Sequence, residues 1–340
     1  MSVPGGEAAS SLFAGMAGRG GLLIAVSGGP DSMALLLLAA RWRAAGGAVP
    51  VFAATVDHGL RPESRTEAES VAAWAASLGV PHATLIWTGD KPRTRVQERA
   101  RDARYELLAA HAARVGADTL ATAHHADDQA ETILFRLLRG SGVAGLAGMA
   151  REMRRGALWH ARPLLDFAKA ELVAICESAG QPFFRDPSNE NPVYARTRVR
   201  QLAETLAAEG LDRSALVRLG ARAGRADRAL AAAAGAFARA IGATISETGF
   251  TARLPTGEAV AAEILLRLIV GEIERLTGRK PRLDRAEALI ERLRGALERG
   301  VALRASLGGA LVRLRANGEL AISRESLRRA TSGRKGNATY

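Results

Sequence analysis

The stretch Leu22-Leu23-Ile24-Ala25-Val26-Ser27-Gly28-Gly29-Pro30-Asp31-Ser32 runs from an apolar pentad into a glycine-rich turn and then into the apolar segment 33–40. A buried strand, a tight turn and a helix start in that order make an anion site. Glycines let backbone N–H groups come close to oxygen atoms, and the helix N-terminus adds positive potential. Pro30 suits the first helical turn. Ser27 and Ser32 offer hydroxyl donors to phosphate, and Asp31 suits a magnesium ion or its waters. The turn lacks the lysine of GxxxxGK[ST] and does not read GxGxxG. The bland alternative is a simple tight strand-to-helix turn.

Outward from this point the same alternation continues. Compact apolar runs at 22–26, 51–56, 82–87 and 119–124 predict strands. Helical periods at 32–45, 67–78, 96–115 and 128–138 lie between and after them. This is the pattern of an α/β fold, a parallel sheet with helices on both faces. Ligands of such sheets bind at the carboxyl ends of the strands, so the polar residues just after each strand are the candidates. A helix is expected at 166–179, followed by a turn-rich segment at 180–194 that reads as a functional loop, and an Arg-studded helix from about residue 195. Helices follow at 211–240, 260–276 and 283–297. The short runs 301–305, 310–316 and 319–323, with Asn317-Gly318 at the last junction, predict a small terminal hairpin or sheet.

The chain has 340 residues, which favours two domains. Residues 1–215 carry 24 Lys and Arg against 23 Asp and Glu, whereas residues 216–340 carry 23 against 12. The second part is therefore strongly basic and mostly through Arg, a composition that attracts polyanions such as nucleic acid. No apolar run approaches the roughly 18–20 residues of a membrane span. The N-terminus has no basic residue before Arg19 and carries Glu7, so a secretory signal is not expected and cytoplasmic residence is the default. The single cysteine, Cys176, excludes an internal disulfide, a CxxC metal site and a redox pair, and reads as a packed helix residue.

After the second strand the chain reads Val56-Asp57-His58-Gly59-Leu60-Arg61. After the fourth it reads Thr122-Ala123-His124-His125-Ala126-Asp127-Asp128-Gln129-Ala130-Glu131-Thr132, then Arg139-Gly140-Ser141-Gly142. Asp128 and Glu131 lie three apart and Asp127 and Glu131 four apart, so two or three carboxylates can share one helical face. They suit Mg²⁺ or a substrate ammonium; capping of the helix by Asp127 or Asp128, with Glu131 reaching back, is the other reading. His124 and His125 end a strand at the ligand edge, where either ligand contact or packing is open. Oxygen-rich groups beside phosphates suit magnesium better than a His/Asp zinc site. Arg101 and Arg104 share a helix with Glu98 and Asp102, leaving surface pairing as an alternative. Arg196, Arg198 and Arg200, at alternate positions, cannot share one helical face, and part of this run is expected to meet phosphate.

The SGGPDS turn resembles the pyrophosphatase (PP) loop of ATP-dependent adenylating ligases, with an adenine nucleotide alpha-hydrolase-like fold. Together with Ala100-Arg101-Asp102-Ala103-Arg104-Tyr105, Arg162-Pro163-Leu164-Leu165, Asp186-Pro187-Ser188-Asn189 and Arg196-Thr197-Arg198-Val199-Arg200, the motifs resemble the tRNA(Ile)-lysidine synthases. The match is dense from Leu22 to Arg200 and weaker beyond. The resemblance implies that the C2 carbonyl oxygen of the wobble cytidine in a CAU-anticodon tRNA(Ile) attacks ATP, and that the ε-amine of free lysine then displaces AMP. It implies ATP and Mg²⁺, with Asp31, Asp127, Asp128 and Glu131 as catalytic residues and Asp31 and Asp128 toward the metal. Ser27, Gly28, Gly29, Pro30, Asp31, Ser32, Asp57, His58 and His124 would bind the nucleotide, and Arg101, Arg104, Arg139, Arg196, Arg198 and Arg200 the substrate or tRNA. Residues 1–215 would form the ATP-binding catalytic domain with a linker helix, 216–330 a smaller, mostly helical tRNA-binding domain with a short terminal β element, and 331–340 a flexible tail. Thr197 stands where family members often have Asn. A homodimer is compatible with the sequence. The alternatives are a tRNA thiolase, or an ammonia-dependent synthetase of the same superfamily. A thiolase would want more cysteines, and an ammonia-dependent synthetase gives no reason for the basic half. A non-catalytic nucleotide- or RNA-binding regulator would have little use for the clustered carboxylates.

Overall fold

The computed structural model describes residues 10–16, 18–59, 64–88, 96–185, 202–203, 205–255 and 260–325. Its first sheet contains β1 (Leu22–Ala25), β2 (Val51–Asp57), β3 (His82–Ile86), β4 (Thr119–Ala121), β5 (Glu152–Arg155) and β6 (Leu158–Ala161). The order is β3-β2-β1-β4-β6-β5. All neighbours run parallel except β5, which pairs antiparallel with β6. The helices are α1 (Pro30–Ala44), α2 (Ser64–Ser77), α3 (Val96–Arg114), α4 (Ala126–Leu137) and α5 (Lys169–Ser178).

Alternation along β1 explains why both sheet faces are covered. Leu22, Ile24 and Val26 pack with Met33, Leu36 and Val71, on the side of α1 and α2. Leu23 points the other way, into a cluster with Tyr105, Leu108 and Ala112 of α3. Side chains of a strand alternate faces, so a strand buried on both sides reads as a continuous apolar run. Residues 33–40 of α1 are all buried, which accounts for their lack of any polar face.

The structure refines several boundaries. β4 stops at Ala121 rather than at His124, and α4 starts at Ala126 rather than Asp128. The β5–β6 hairpin was not expected from the sequence. Three of the four β5 residues are charged and the strand lies at the sheet edge, so it carries no apolar run to read.

The second sheet is wholly antiparallel, in the order β7-β8-β11-β10-β9, built from β7 (Thr244–Ile245), β8 (Gly249–Arg253), β9 (Leu303–Leu307), β10 (Ala310–Leu314) and β11 (Glu319–Arg324). The expected terminal hairpin is thus part of a five-stranded sheet, because Phe250 and Ala252 of β8 bring a further strand onto β11. Helices α7 (Ala262–Thr277) and α8 (Leu283–Glu298) pack Ile269, Ile273, Leu289 and Leu293 onto Phe250, Val312, Leu320 and Ile322. Asn317 accepts the Glu319 N–H at 3.1 Å, and Gly318 at φ +82° makes the β10–β11 turn.

The chain divides into two compact units: residues 1–140 with 145–221, and residues 141–144 with 222–340. Both include part of α6 (Arg213–Ala240), a helix in which the expected boundary at 215/216 also falls. Asp186–Asn189, Arg196, Arg198, Arg200 and the tail from residue 326 lie outside the described residues. Among those described, no helix is long and apolar enough to cross a membrane.

Candidate active site

Strands β2 and β3 lie on one side of β1, and the chain then crosses back to place β4 on the other. The carboxyl ends of β1 and β4 therefore flank the point where strand order reverses, the crevice in which open α/β sheets bind ligands. A cavity of about 920 Å³ opens there. Its walls include Ser27 and Asp31 after β1, His58 after β2, His124 and Asp128 after β4, and Arg104 of α3.

The turn after β1 is held from within. The Ser27 N–H donates to Ser32 Oγ at 3.1 Å, and Ser32 Oγ lies 3.0 Å from the Gly29 carbonyl and 3.2 Å from Ser27 Oγ. Ser32 is buried, so its hydroxyl braces the loop while the exposed Ser27 is the one available to a ligand. Gly28 sits at φ +82°, and a Cβ there would lie 2.8 Å from Phe184 Cδ2 and 3.0 Å from Val71 Cγ2. The Phe184 N–H donates to the Gly28 carbonyl at 2.8 Å. Phe183, Phe184 and Arg185 thus close one wall from the segment that the sequence marked as a functional loop. Pro30 occupies the first turn of α1, where its missing N–H costs no hydrogen bond.

His125 ties the two strand ends together. It is buried, and its Nε2 lies 3.5 Å from Asp31 Oδ2 and 3.5 Å from Asp128 Oδ2, with Nδ1 3.5 Å from Asp127 Oδ2. Burial alone would lower its pKa, but Asp127, Asp31 and Asp128 outweigh it and push the imidazole up to about 9. The ring is therefore a cation at neutral pH, holding carboxylates from two separate elements near one point. It is also the residue at the N-cap of α4, where Asp128 Oδ2 accepts its backbone N–H at 3.1 Å. This corrects the expectation that Asp127 or Asp128 is the cap and Glu131 the returning acid.

The three expected carboxylates separate. Asp128 lines the cavity, while Asp127 and Glu131 are not among the lining residues. Asp127 accepts the Lys169 N–H at 2.9 Å and Arg213 Nη1 at 3.1 Å. Although partial burial opposes it, these donors and His125 hold the Asp127 carboxyl well below its usual range. It braces the start of α5. Asp57 likewise turns inward: its Oδ1 accepts the Gly59 N–H at 2.8 Å and the Ser64 hydroxyl at 2.7 Å, and it forms a turn rather than a cavity wall.

His58 lines the cavity, edge-on to Trp87, and accepts Arg104 Nη2 at 3.1 Å. Arg101 also lines it, 5.4 Å from the Tyr105 ring centre. Neither arginine makes an ion pair among the described residues. Arg139 stacks on Phe135 at 3.9 Å and stands apart from the cavity. Cys176 is buried, donates to the Pro30 carbonyl at 3.4 Å, and is pushed up to about 12 by burial, with Asp31 and Glu177 adding to it. It is a packing residue with no thiolate to offer. Tyr105, the last residue of the motif at 100–105, also lines the cavity, as do Thr55 and Lys169, which the sequence did not mark; each of these two is a common residue type on a helix or strand and becomes a wall only through the fold.

Among the described residues, no group of three His, Cys, Asp or Glu is arranged to hold a metal. The donor set instead suits Mg²⁺, which takes one or two carboxylates and fills its shell with water and phosphate oxygens. Asp31 Oδ1 is buried without a hydrogen-bond partner, the kind of orphaned anionic oxygen that such an ion satisfies.

A family profile described as "PP-loop domain" matches residues 7–206. A protein of Methylobacterium sp. (strain 4-46) named tRNA(Ile)-lysidine synthase is 50% identical over 317 residues, covering 92% of this chain and 91% of its own. One of the same name from Bradyrhizobium sp. (strain BTAi1 / ATCC BAA-1182) is 49% identical over 325 residues, covering 90% of each. Among solved structures, a U34-tRNA thiolase from Methanococcus maripaludis superposes with a TM-score of 0.53 at 16% identity, covering 64% of this chain and 78% of the other, a likeness of fold. With its loop after β1, its acidic cluster after β4 and this extent of identity, the chain belongs to the tRNA(Ile)-lysidine synthase family of PP-loop proteins.

Proposed function

We propose that this protein ligates free L-lysine to C2 of the wobble cytidine of CAU-anticodon tRNA(Ile), consuming ATP and releasing AMP and diphosphate. The observation that carries the reading is the convergence of Asp31, His125 and Asp128 beside the Ser27–Ser32 loop, at the switch point of the sheet. A ring carbonyl oxygen leaves poorly until adenylation makes it part of AMP, so the first step is attack by cytidine O2 on the α-phosphate. The ε-amine of lysine then attacks C2, AMP departs with the electron pair of the C2–O bond, and the amine loses a proton.

Charge accumulates at the α-phosphate during the first step. Backbone N–H groups at the start of α1 and the Ser27 hydroxyl would stabilise it without reorganising, while His125, outside the cavity lining, acts through Asp31 and Asp128, which it holds together. Arg101 and Arg104 add positive potential from the opposite wall. Mg²⁺, when bound, would sit on Asp31 and Asp128 and neutralise phosphate charge. Asp128, with Glu131 one turn further on, gives the approaching ammonium of lysine an anionic destination and an acceptor for its proton. Asp127 serves as a brace for α5.

The basic half supports a tRNA partner. On α6, Arg218, Arg222 and Arg225 are exposed, make no ion pair among the described residues, and follow one another at helical spacing over about 10 Å. We assign residues 216–330 to tRNA binding on this basis. A thiolase reading lacks a competent thiol, since the single cysteine is buried against Pro30. The test is incubation with ATP, Mg²⁺, labelled lysine and unmodified CAU-anticodon transcripts of tRNA(Ile) and tRNA(Met), followed by mass analysis of nucleosides. Lysine is expected in tRNA(Ile) alone, with AMP formed; AMP without lysine would overturn the nucleophile.

A further inference from the structure

Arg162 directly follows β6 and is only 6% exposed, yet it has no carboxylate partner among the described residues. A buried cation left without a counter-charge is costly and calls for a reason. Its Nη1 donates to the Ala150 carbonyl at 2.7 Å and its Nη2 to His160 Nδ1 at 3.2 Å. The pairing of Leu120 with His160 puts Thr122, two residues on, on the same sheet face as His160. Thr122 Oγ1 lies 2.9 Å from His160 Nε2 and 2.7 Å from His124 Nδ1. Thr122 and His124 line the cavity.

Proton positions along this chain follow from what each group is able to do. A guanidinium only donates, so His160 Nδ1 must be bare. A ring with a bare Nδ1 carries its proton on Nε2 and gives it to Thr122 Oγ1. That hydroxyl has no third partner among the described residues, so its own proton goes to His124 Nδ1. His124 then carries its proton on Nε2, which makes no hydrogen bond to any described residue.

We propose that Arg162 is a positioning residue which, through His160 and Thr122, locks His124 as an Nε2–H donor toward a phosphate oxygen of ATP. The proposal rests on the assignment of this cavity to ATP. Two further observations agree with it. Burial, together with Arg162 and Arg101 and against the pull of Asp128, lowers His124 to about 4; burial and Arg162, Arg155 and Arg101 lower His160 to about 3. Both rings are thus neutral, as the relay requires. His124 and His125, adjacent in sequence, then do opposite work: one is a neutral donor, the other a fixed cation.

The protein has six histidines, so the ring nitrogens are accessible to nitrogen-15 NMR of the histidine-labelled full chain, with His124→Gln identifying the signal. In the wild type, without substrate, His124 is expected to show a bare Nδ1 and a protonated Nε2. Thr122→Val, which keeps the volume and removes the hydroxyl, should let the ring exchange between tautomers and raise the KM for ATP on the order of tenfold, with a smaller effect on kcat. Thr122→Ser should restore both. A wild-type His124 carrying its proton on Nδ1, or a Thr122→Val spectrum identical to wild type, would overturn the relay. Should Thr122→Val not fold, the wild-type spectrum decides alone. Because the spectrum is read without substrate, it stands or falls separately from the lysine assay.

Discussion

The two halves of this chain use charge in opposite ways. Residues 1–215 are almost balanced, 24 basic against 23 acidic, while residues 216–340 carry 23 against 12. In the first, charges converge: Asp31 and Asp128 meet across His125 beside a cavity. In the second, several half-buried charges are paired, as where Arg267 bonds Asp227 and Glu263 at 2.7 Å each, and most of the surplus lies on the surface of the described residues. Balance with convergence suits bond making; surplus without convergence suits grip on a polyanion. The two tasks should therefore separate under mutation.

The largest separation is expected at Asp31. Asp31→Ala removes the orphaned Oδ1 and the partner of His125 from the loop, and AMP formation should fall on the order of a thousandfold or more, while tRNA affinity measured by filter binding changes little. A folded variant with near-normal turnover would remove Asp31 from the mechanism. The converse is Arg218, Arg222 and Arg225 changed together to Ala. Without these three guanidinium groups to neutralise phosphates, the Kd for tRNA should rise about ten- to a hundredfold at physiological salt, and the slope of log affinity against log salt should flatten by up to about 3. AMP formation at saturating tRNA should stay near wild type. Loss of kcat instead of affinity would show that the basic half takes part in the chemistry.

How much of this contrast was legible in the sequence differs between strands and walls. β1 and its loop were readable because every residue there answers a local demand: two buried faces, a left-handed Gly28, a proline at the helix start. The charge asymmetry needed only counting. His125 was harder, since its role depends on Asp31, ninety-four positions earlier, being brought beside it. Asp127 and Asp128 look equivalent in sequence. Only the packing of α5 turns one toward Lys169 and leaves the other on the cavity. β5, with Glu152, Arg154 and Arg155, has no hydrophobic pattern because an edge strand needs none.

A smaller effect tests how tightly the loop of the catalytic half is built. Gly28→Ala puts a methyl within 2.8 Å of Phe184 Cδ2 at a backbone φ that L-residues rarely adopt. Destabilisation of about 2 kcal/mol is expected from denaturant unfolding, along with weaker ATP binding, while the salt dependence of tRNA binding stays unchanged. An unaltered unfolding midpoint would mean that the Phe184 wall yields freely and does not hold the loop.

The smallest expected effect is a pH dependence that belongs to the catalytic half alone, because all six histidines lie in residues 58–160. His82, hydrogen-bonded to Thr55 Oγ1 at 2.9 Å, is held down to about 4 by burial and by His111; His160 is held to about 3. In the unfolded chain both rings return to an ordinary value near 6.5. Between these limits the unfolded state binds protons that the folded state refuses, so the stability they contribute is complete above about pH 6.5 and lost as pH falls toward 4. His125 has the opposite sign: raised to about 9, it favours the fold below pH 6.5 and loses that contribution as pH rises through 9. A melting profile should therefore peak near pH 6.5, fall by a few degrees by pH 5.5, before the carboxylates titrate, and decline on the alkaline side as His125 gives up its contribution between about pH 6.5 and 9. His82→Gln, which keeps a donor for Thr55 but cannot gain a proton, should shrink that early fall. An identical acid limb in the variant would place the proton uptake elsewhere.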